Sequence, residues 1–403
     1  MNQRVVVIGQ SYTTRLCVIR SVAQIGCEVY VIVMTGYNKD GKTLNTQKPI
    51  DCYSKYVKKI FFCPSNDGNY LLDILLSQCS NDNNQKSIII SVGDFVTTII
   101  DQNLNLLKDH FLFSNINYQQ GAIVKWMNKE LQKNLAQRIG LNIANSISLE
   151  IKDGYYSLPV DISYPCFTKA RTYLPGCKHT LKRCDNEFEL NDFIRNLGGR
   201  GELTLLIEDY KEIETEYAVV GFSDGINVII PGIIQIEALA HGSHFGVACR
   251  GKVMPIIGFE DLISKFEKFV LNVGYVGLFD IDFYRSDGKF YFGELNLRLG
   301  GSGYAITKMG VNLPVMFVKS LLGIPIDDML KTIKKSATFV NERMLFGDWQ
   351  GGYISTRKCY KYLRDTDINF VNDKIDTRPQ KALYRALISD FIWKIVKRIK
   401  GRI

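Results

Sequence analysis

Gly277-Leu-Phe-Asp280-Ile-Asp282-Phe-Tyr-Arg285-Ser-Asp-Gly288-Lys-Phe-Tyr-Phe-Gly293-Glu294-Leu-Asn296-Leu-Arg298-Leu-Gly300-Gly301-Ser302 is the stretch whose reading decides the fold. Two apolar strands flank an Asp287-Gly288 turn, a strong short-range hairpin signal. Asp280, Asp282, Glu294 and Asn296 interrupt the apolar pattern. Glu294 and Asn296 lie two apart on one strand and share a face. Whether Asp282 joins them depends on the turn. A two-residue loop pairs Asp282 with Gly293 and sends it to the opposite face. A three-residue loop with Gly288 as a bulge pairs it with Phe292, and Asp282, Glu294 and Asn296 then point the same way, beside Asp280. Oxygen donors crowded on one face repel one another without a cation, and magnesium prefers hard oxygen ligands that it shares with phosphates. Arg298, four residues past Glu294, is placed to neutralise a phosphate on the same site. The plain alternative is an amphipathic hairpin with one solvated face.

Working outward, residues 5–8, 29–33 and 87–92 read as strands and 13–25 and 94–107 as helices. Residues 1–120 therefore form an open parallel α/β domain. Its turn Gly9-Gln10-Ser11 holds a single glycine and is no dinucleotide fingerprint. Residues 128–139 read as a helix capped by Asn128 and stopped by Gly140. Strands are expected at 165–169, 203–208, 216–222, 228–234, 279–285 and 290–295, and helices at 261–273 and 313–322. Residues 121–330 thus make a mixed α+β unit, and 331–403 a C-terminal extension.

Length and composition agree with this division. A chain of 403 residues, 46% hydrophobic and 23% charged, is long enough for two or three packed units and too apolar for disorder. The net charge of +9 suits an anionic ligand such as a nucleotide and does not by itself indicate nucleic acid. The ten cysteines show neither C-x-x-C nor zinc-finger spacing and read as reduced thiols of a cytoplasmic protein. The first residues are too short a run for a signal-peptide core. No stretch approaches the roughly 20 apolar residues that span a bilayer. His241-Gly-Ser-His244 lacks a nearby third ligand and is not expected to hold metal.

The Asp282…Glu294-Leu-Asn296-Leu-Arg298 pattern, running into Gly300-Gly301-Ser302, resembles the core motif of the ATP-grasp enzymes. Leu297 stands where that family commonly has proline. The resemblance implies ATP as cosubstrate, with magnesium, or manganese in its place, on Asp282, Glu294 and Asn296. It implies that Arg298 meets the transferring phosphate or an acyl phosphate. Upstream, Tyr164-Pro-Cys-Phe-Thr-Lys169 resembles the strand that carries a nucleotide lysine. Residues 171–180 take the place of the phosphate-covering loop, with Lys178 and Lys182 both candidates there. Leu205-Leu-Ile-Glu208-Asp-Tyr210 resembles the adenine hinge, which assigns Glu208 and Tyr210 to the base and Glu216 to the ribose. Arg250 is a candidate for stabilising the transferred phosphoryl group. The segment Ser54-Lys-Tyr56 and the order of elements are similar to D-aspartate ligase-like carboxylate–amine ligases.

The implied function is ATP-dependent joining of a small-molecule carboxylate to an amine through an acyl phosphate. No G-x-S-x-G, H-E-x-x-H or P-loop motif offers another chemistry. The rival readings are a non-catalytic nucleotide-binding module of an envelope or capsule pathway, and a carboxylase-like or kinase-like reaction on the same fold. From Lys381 to Ile403 the chain carries seven Lys or Arg and one acid, Asp390, with apolar residues at helical spacing. That pattern fits peripheral contact with the inner face of a membrane. It fits equally a terminal helix docked on the protein's own core with a solvated basic face.

Overall fold

A computed structural model describes residues 3–10, 12–38, 42–80, 85–172, 177–197, 202–242 and 246–400, with side chains described except at 177–178 and 391–400. β1 (Arg4–Gly9), β2 (Glu28–Thr35), β3 (Val57–Pro64), β4 (Ser87–Ser91) and β5 (Phe111–Leu112) form a parallel sheet ordered β3-β2-β1-β4-β5. The two-residue period sorts its side chains between two cores. Val5, Val7, Val29, Val31 and Ile90 enter one, and Val6, Ile8, Tyr30, Ile32 and Ile89 the other. Strand order reverses between β1 and β4, which opens a crevice at their carboxyl ends.

β6 (Asn115–Ile116) leads out of this domain and pairs with β15 below. β7 (Ser146–Ile151), β8 (Cys166–Ala170), β9 (Lys182–Cys184) and β10 (Leu203–Asp209) form a small antiparallel sheet, ordered β7-β10-β8-β9. β11 (Thr215–Asp224), β12 (Val228–Ile229), β13 (Ile233–Leu239), β14 (Ala248–Met254), β15 (Tyr275–Ser286) and β16 (Lys289–Asn296) belong to the largest sheet. The single strand expected at 228–234 is two strands, because Pro231 cannot donate to a ladder and Gly232 packs 2.5 Å, measured from a would-be Cβ, from the Met254 carbonyl.

β17 (Ala337–Val340) and β18 (Ile368–Asn369) extend that sheet through β14, so the residues after 330 are built into the fold. Buried Arg20 binds the Phe370, Val371 and Asp376 carbonyls and the Asp376 carboxylate. The Glu342 carboxylate accepts from the N–H groups of Phe370, Val371 and Asn372 at 2.7–2.9 Å. These bonds satisfy backbone groups that would be costly to bury unpaired. The described cysteines are buried free thiols; burial pushes Cys17, Cys52, Cys63 and Cys79 up to about 12, so they are inert.

Candidate active site

The site starts from the turn of the β15–β16 hairpin. Asp287 (φ 49°) and Gly288 (φ 70°) make a two-residue turn, and Ser286 pairs with Lys289. That register alone would turn Asp282 away from Glu294. The ladder instead shifts after Phe283, which pairs with Phe292, so that Asp282 pairs with Glu294 and Asp280 with Asn296. The extra residue is Gly293. A bulge is present, as the same-face reading requires, but at Gly293 and not at Gly288. A Cβ on Gly293 would stand 2.8 Å from the Asp282 carbonyl oxygen, so the bulge needs glycine.

The four polar side chains consequently stand on one face. Asn296 Nδ2 donates to Asp282 Oδ2 at 3.1 Å, and Arg298 Nη2 donates to Asn296 Oδ1 at 3.3 Å. Burial, with Asp280 and Glu294 alongside, pushes the Asp282 carboxyl well above its ordinary range. Burial raises Asp280 to about 7, against the pull of Arg298. Glu294, its side chain 32% exposed, stands beside the same acids, but Lys129, at 2.7 Å from its Oε2, outweighs the desolvation there and holds it down at about 2. Gly300 lies so near Asp280 that a Cβ would sit 2.5 Å from its carboxyl carbon, which explains the glycine after Arg298.

Two lysines absent from the sequence assignment complete the arrangement. Asn128 caps the helix Lys129–Arg138 by accepting from the Glu130 and Leu131 amides. Gln132 bolts that helix to β16, exchanging bonds with the Leu295 carbonyl (2.9 Å) and amide (2.8 Å). Lys129 and Lys133, four apart on one helical face, thereby reach Glu294 and Glu208 respectively. Lys169 on β8 meets the same Glu208 oxygen at 2.9 Å and also lowers the pKa of Glu294, which brings the small sheet to the carboxylate face. Burial pulls the Lys133 ammonium down to about 8. The Lys169 and Lys133 charges hold Glu208 below its usual value despite burial.

Other expected residues fall into place or out of it. Glu216 on β11 lies on the carboxylate face, one two-residue step from the Asp282 pairing, and burial raises its pKa. Tyr284 and Tyr291 stack at 5.5 Å between this face and the small sheet. Tyr210 follows β10, its amide bound to the Pro165 carbonyl and its ring under Arg183 at 4.4 Å. The Glu208 carboxylate, expected at the adenine hinge, pairs with Lys133 and Lys169. Lys182 lies over the Phe193 ring. Lys178 lies in the turn Cys177–Thr180, and its side chain falls outside the described residues, as does His244. His241 pairs with Asp348 at 2.9 Å and stacks on Tyr353. Arg298 also grips Asp94 at 2.6 Å, joining the hairpin loop to the crevice of the parallel sheet.

Arg250 does not join the cluster. Its guanidinium binds Glu237 at 2.7 Å and the carbonyls of Tyr362 and Asp365, over the Tyr362 ring. It ties β14 to the C-terminal extension. Arg250→Ala should therefore lower stability by roughly 1–3 kcal/mol while turnover per folded molecule stays within about threefold. A hundredfold loss of turnover in folded variant protein would return Arg250 to the chemistry.

The donor set fits a hard divalent cation. Two carboxylates and an amide oxygen crowd one face, and burial penalises their charge. Among the described residues no three His, Cys, Asp or Glu side chains form a self-sufficient metal cluster. A cation here would draw further ligands from phosphate or water, as magnesium commonly does.

Two antiparallel units closing on a carboxylate hairpin, behind a parallel α/β domain, define the ATP-grasp fold, and this chain has it. Solved structures bear out the likeness. N5-carboxyaminoimidazole synthetase from Staphylococcus aureus with ADP superposes at TM-score 0.60 and 14% identity, over 87% of each chain. L-Amino acid ligase from Bacillus licheniformis gives 0.60 and 16%, over 84% of this chain and 79% of that one. Biotin carboxylase from Campylobacter jejuni gives 0.61 and 16%, over 84% and 75%. In sequence, the carbamoyl phosphate synthase large chain of Gemmatimonas aurantiaca is 21% identical over 320 residues, which is 78% of this chain but 27% of that one. That of Helicobacter pylori is 24% identical over 213 residues, 50% of this chain and 18% of that one. This chain thus spans about a quarter or less of these relatives' length. No family model matches the chain.

Proposed function

We propose that the chain is an ATP-dependent ligase that joins a carboxylate to an amine through an acyl phosphate. The observation that carries the reading is the opposition of Asp282, Glu294 and Asn296 to Lys129, Lys133, Lys169 and Arg298. Phosphoryl transfer needs charge neutralisation and alignment more than a protein nucleophile. Lys133 and Lys169 would exchange Glu208 for phosphate oxygens, with Lys178 added from the covering loop. Tyr210 would flank the base and Glu216 the ribose. Asp282, Glu294 and Asn296 would hold magnesium, or manganese, which neutralises phosphate charge when bound. Arg298, held by Asp94 at the crevice of the parallel sheet, would meet the acyl phosphate where the amine arrives.

Named ligases and carboxylases among the similar structures support the reaction class. Hydroxylamine tests the intermediate. Amino acids, short peptides and bicarbonate are screened with ATP and magnesium, and the carboxylate that stimulates ADP release should yield a hydroxamate when hydroxylamine replaces the amine. Release of AMP and pyrophosphate would point to an adenylate and overturn the proposal. If bicarbonate alone stimulates turnover, the carboxylase-like reading replaces the ligase.

A further inference from the structure

The C-terminal helix Arg378–Lys400 has two apolar lines, and the protein's own core uses one. Pro379 and Leu383 are buried, and Leu387 packs against the cluster of Leu345, Phe346 and Val371. These positions recur at four-residue steps and mark the docked face. Continued along the helix, the same line reaches exposed Asp390 and then, by sequence, Lys394 and Arg398. Among the described side chains, Leu387 is the last that packs on this cluster.

The second line lies about 100° away around the helix. Among the described side chains its exposed member is Ile388, 59% exposed, while Tyr384, 44% exposed, still rests edge-on against Phe346 of the docked cluster. The sequence continues it at helical spacing with Ile392, Ile395 and Ile399. An apolar line on a surface helix that turns from its own core marks an interaction site. The charge around it selects the partner. Arg385, Lys394, Lys397, Arg398 and Lys400 lie on the same length of helix beside or behind this line, and Asp390 is the one acid there. Two such helices would repel each other, whereas an anionic bilayer surface attracts basic residues that lie near it. No helix among the described residues is long and apolar enough to cross a membrane.

We propose that this second line seats the protein in the interface of an anionic bilayer, with the helix parallel to the surface. The inference does not depend on the proposed reaction. Flotation of the full chain tests it, with vesicles of equal phosphatidylglycerol and phosphatidylcholine and with vesicles of phosphatidylcholine alone. The protein should float with the anionic vesicles at low salt, remain at the bottom with neutral ones, and be released by high salt. The double variant Ile388→Asp, Ile392→Asp alters the second line and leaves Leu383, Tyr384 and Leu387 in place. It should partition at least about tenfold more weakly and keep the wild-type melting curve. The proposal is overturned if the full chain stays at the bottom with anionic vesicles, or if the double variant floats as well as wild type. It is also overturned if sedimentation shows a dimer, without lipid binding, that the double variant dissociates.

Discussion

Glu294→Gln should lower turnover at least about a hundredfold while the protein stays folded. Glutamine keeps the shape of the side chain and its place opposite Asp282. It removes the one carboxylate of the cluster that Lys129 holds firmly ionised. Asp282 and Asp280 are both raised by burial and by Glu294, so the loss of that charge relieves crowding in the ligand-free protein. The loss of the Lys129 ion pair opposes that relief, so the melting temperature should fall only slightly with the fold kept, which separates a missing ligand from misfolding. ADP release with the hydroxamate-forming carboxylate, measured beside circular dichroism, gives both readings. Turnover near wild type would remove Glu294 from the metal-binding set. A collapsed melting curve would show that the Lys129 pair, and not a ligand, explains the residue.

The hairpin is legible because its polar residues break an otherwise apolar alternation, a pattern that packing alone does not call for. The site of the bulge is not legible. It depends on how two strands meet, and the sequence permits a glycine bulge at 288 as readily as at 293. Lys129 and Lys133 hide for another reason. Lysines four apart just inside a capped helix read as a solvated face, and Gln132, which turns that face inward, bonds to a residue 163 positions away. The partners of Arg250 at Tyr362 and Asp365 are hidden because they lie in an extension that periodicity leaves shapeless. Asp94 looks like an ordinary first-turn acid until Arg298 reaches it across 204 residues. The tail's composition marks an amphipathic helix. That Leu383 docks while nearby Ile388 stands exposed is not legible from composition.

The largest effect on stability is expected outside the carboxylate cluster, at Asp51. Arg15 and Asp51 are both fully buried, with Nε to Oδ2 at 2.7 Å and Nη2 to Oδ1 at 2.9 Å. Arg15 also donates to the Gly9 carbonyl, at the end of β1 where the crevice opens. Asp51→Asn removes the negative partner and leaves a guanidinium charged in a dry core. Such a loss costs roughly 3–5 kcal/mol, much of the 5–15 kcal/mol that typically holds a protein folded. The damage should spread beyond the parallel sheet, because the turn Ile50–Tyr53 that carries Asp51 lies against the C-terminal helix. Urea unfolding of wild type, Asp51→Asn and the double variant Arg15→Met, Asp51→Leu decides the matter. The single variant should lose most, and the double variant should recover a large part, since a packed apolar pair replaces a buried ion pair at little cost. A single variant within about 1 kcal/mol of wild type would mean that water reaches Arg15 and that the pair is not the dry anchor its burial implies.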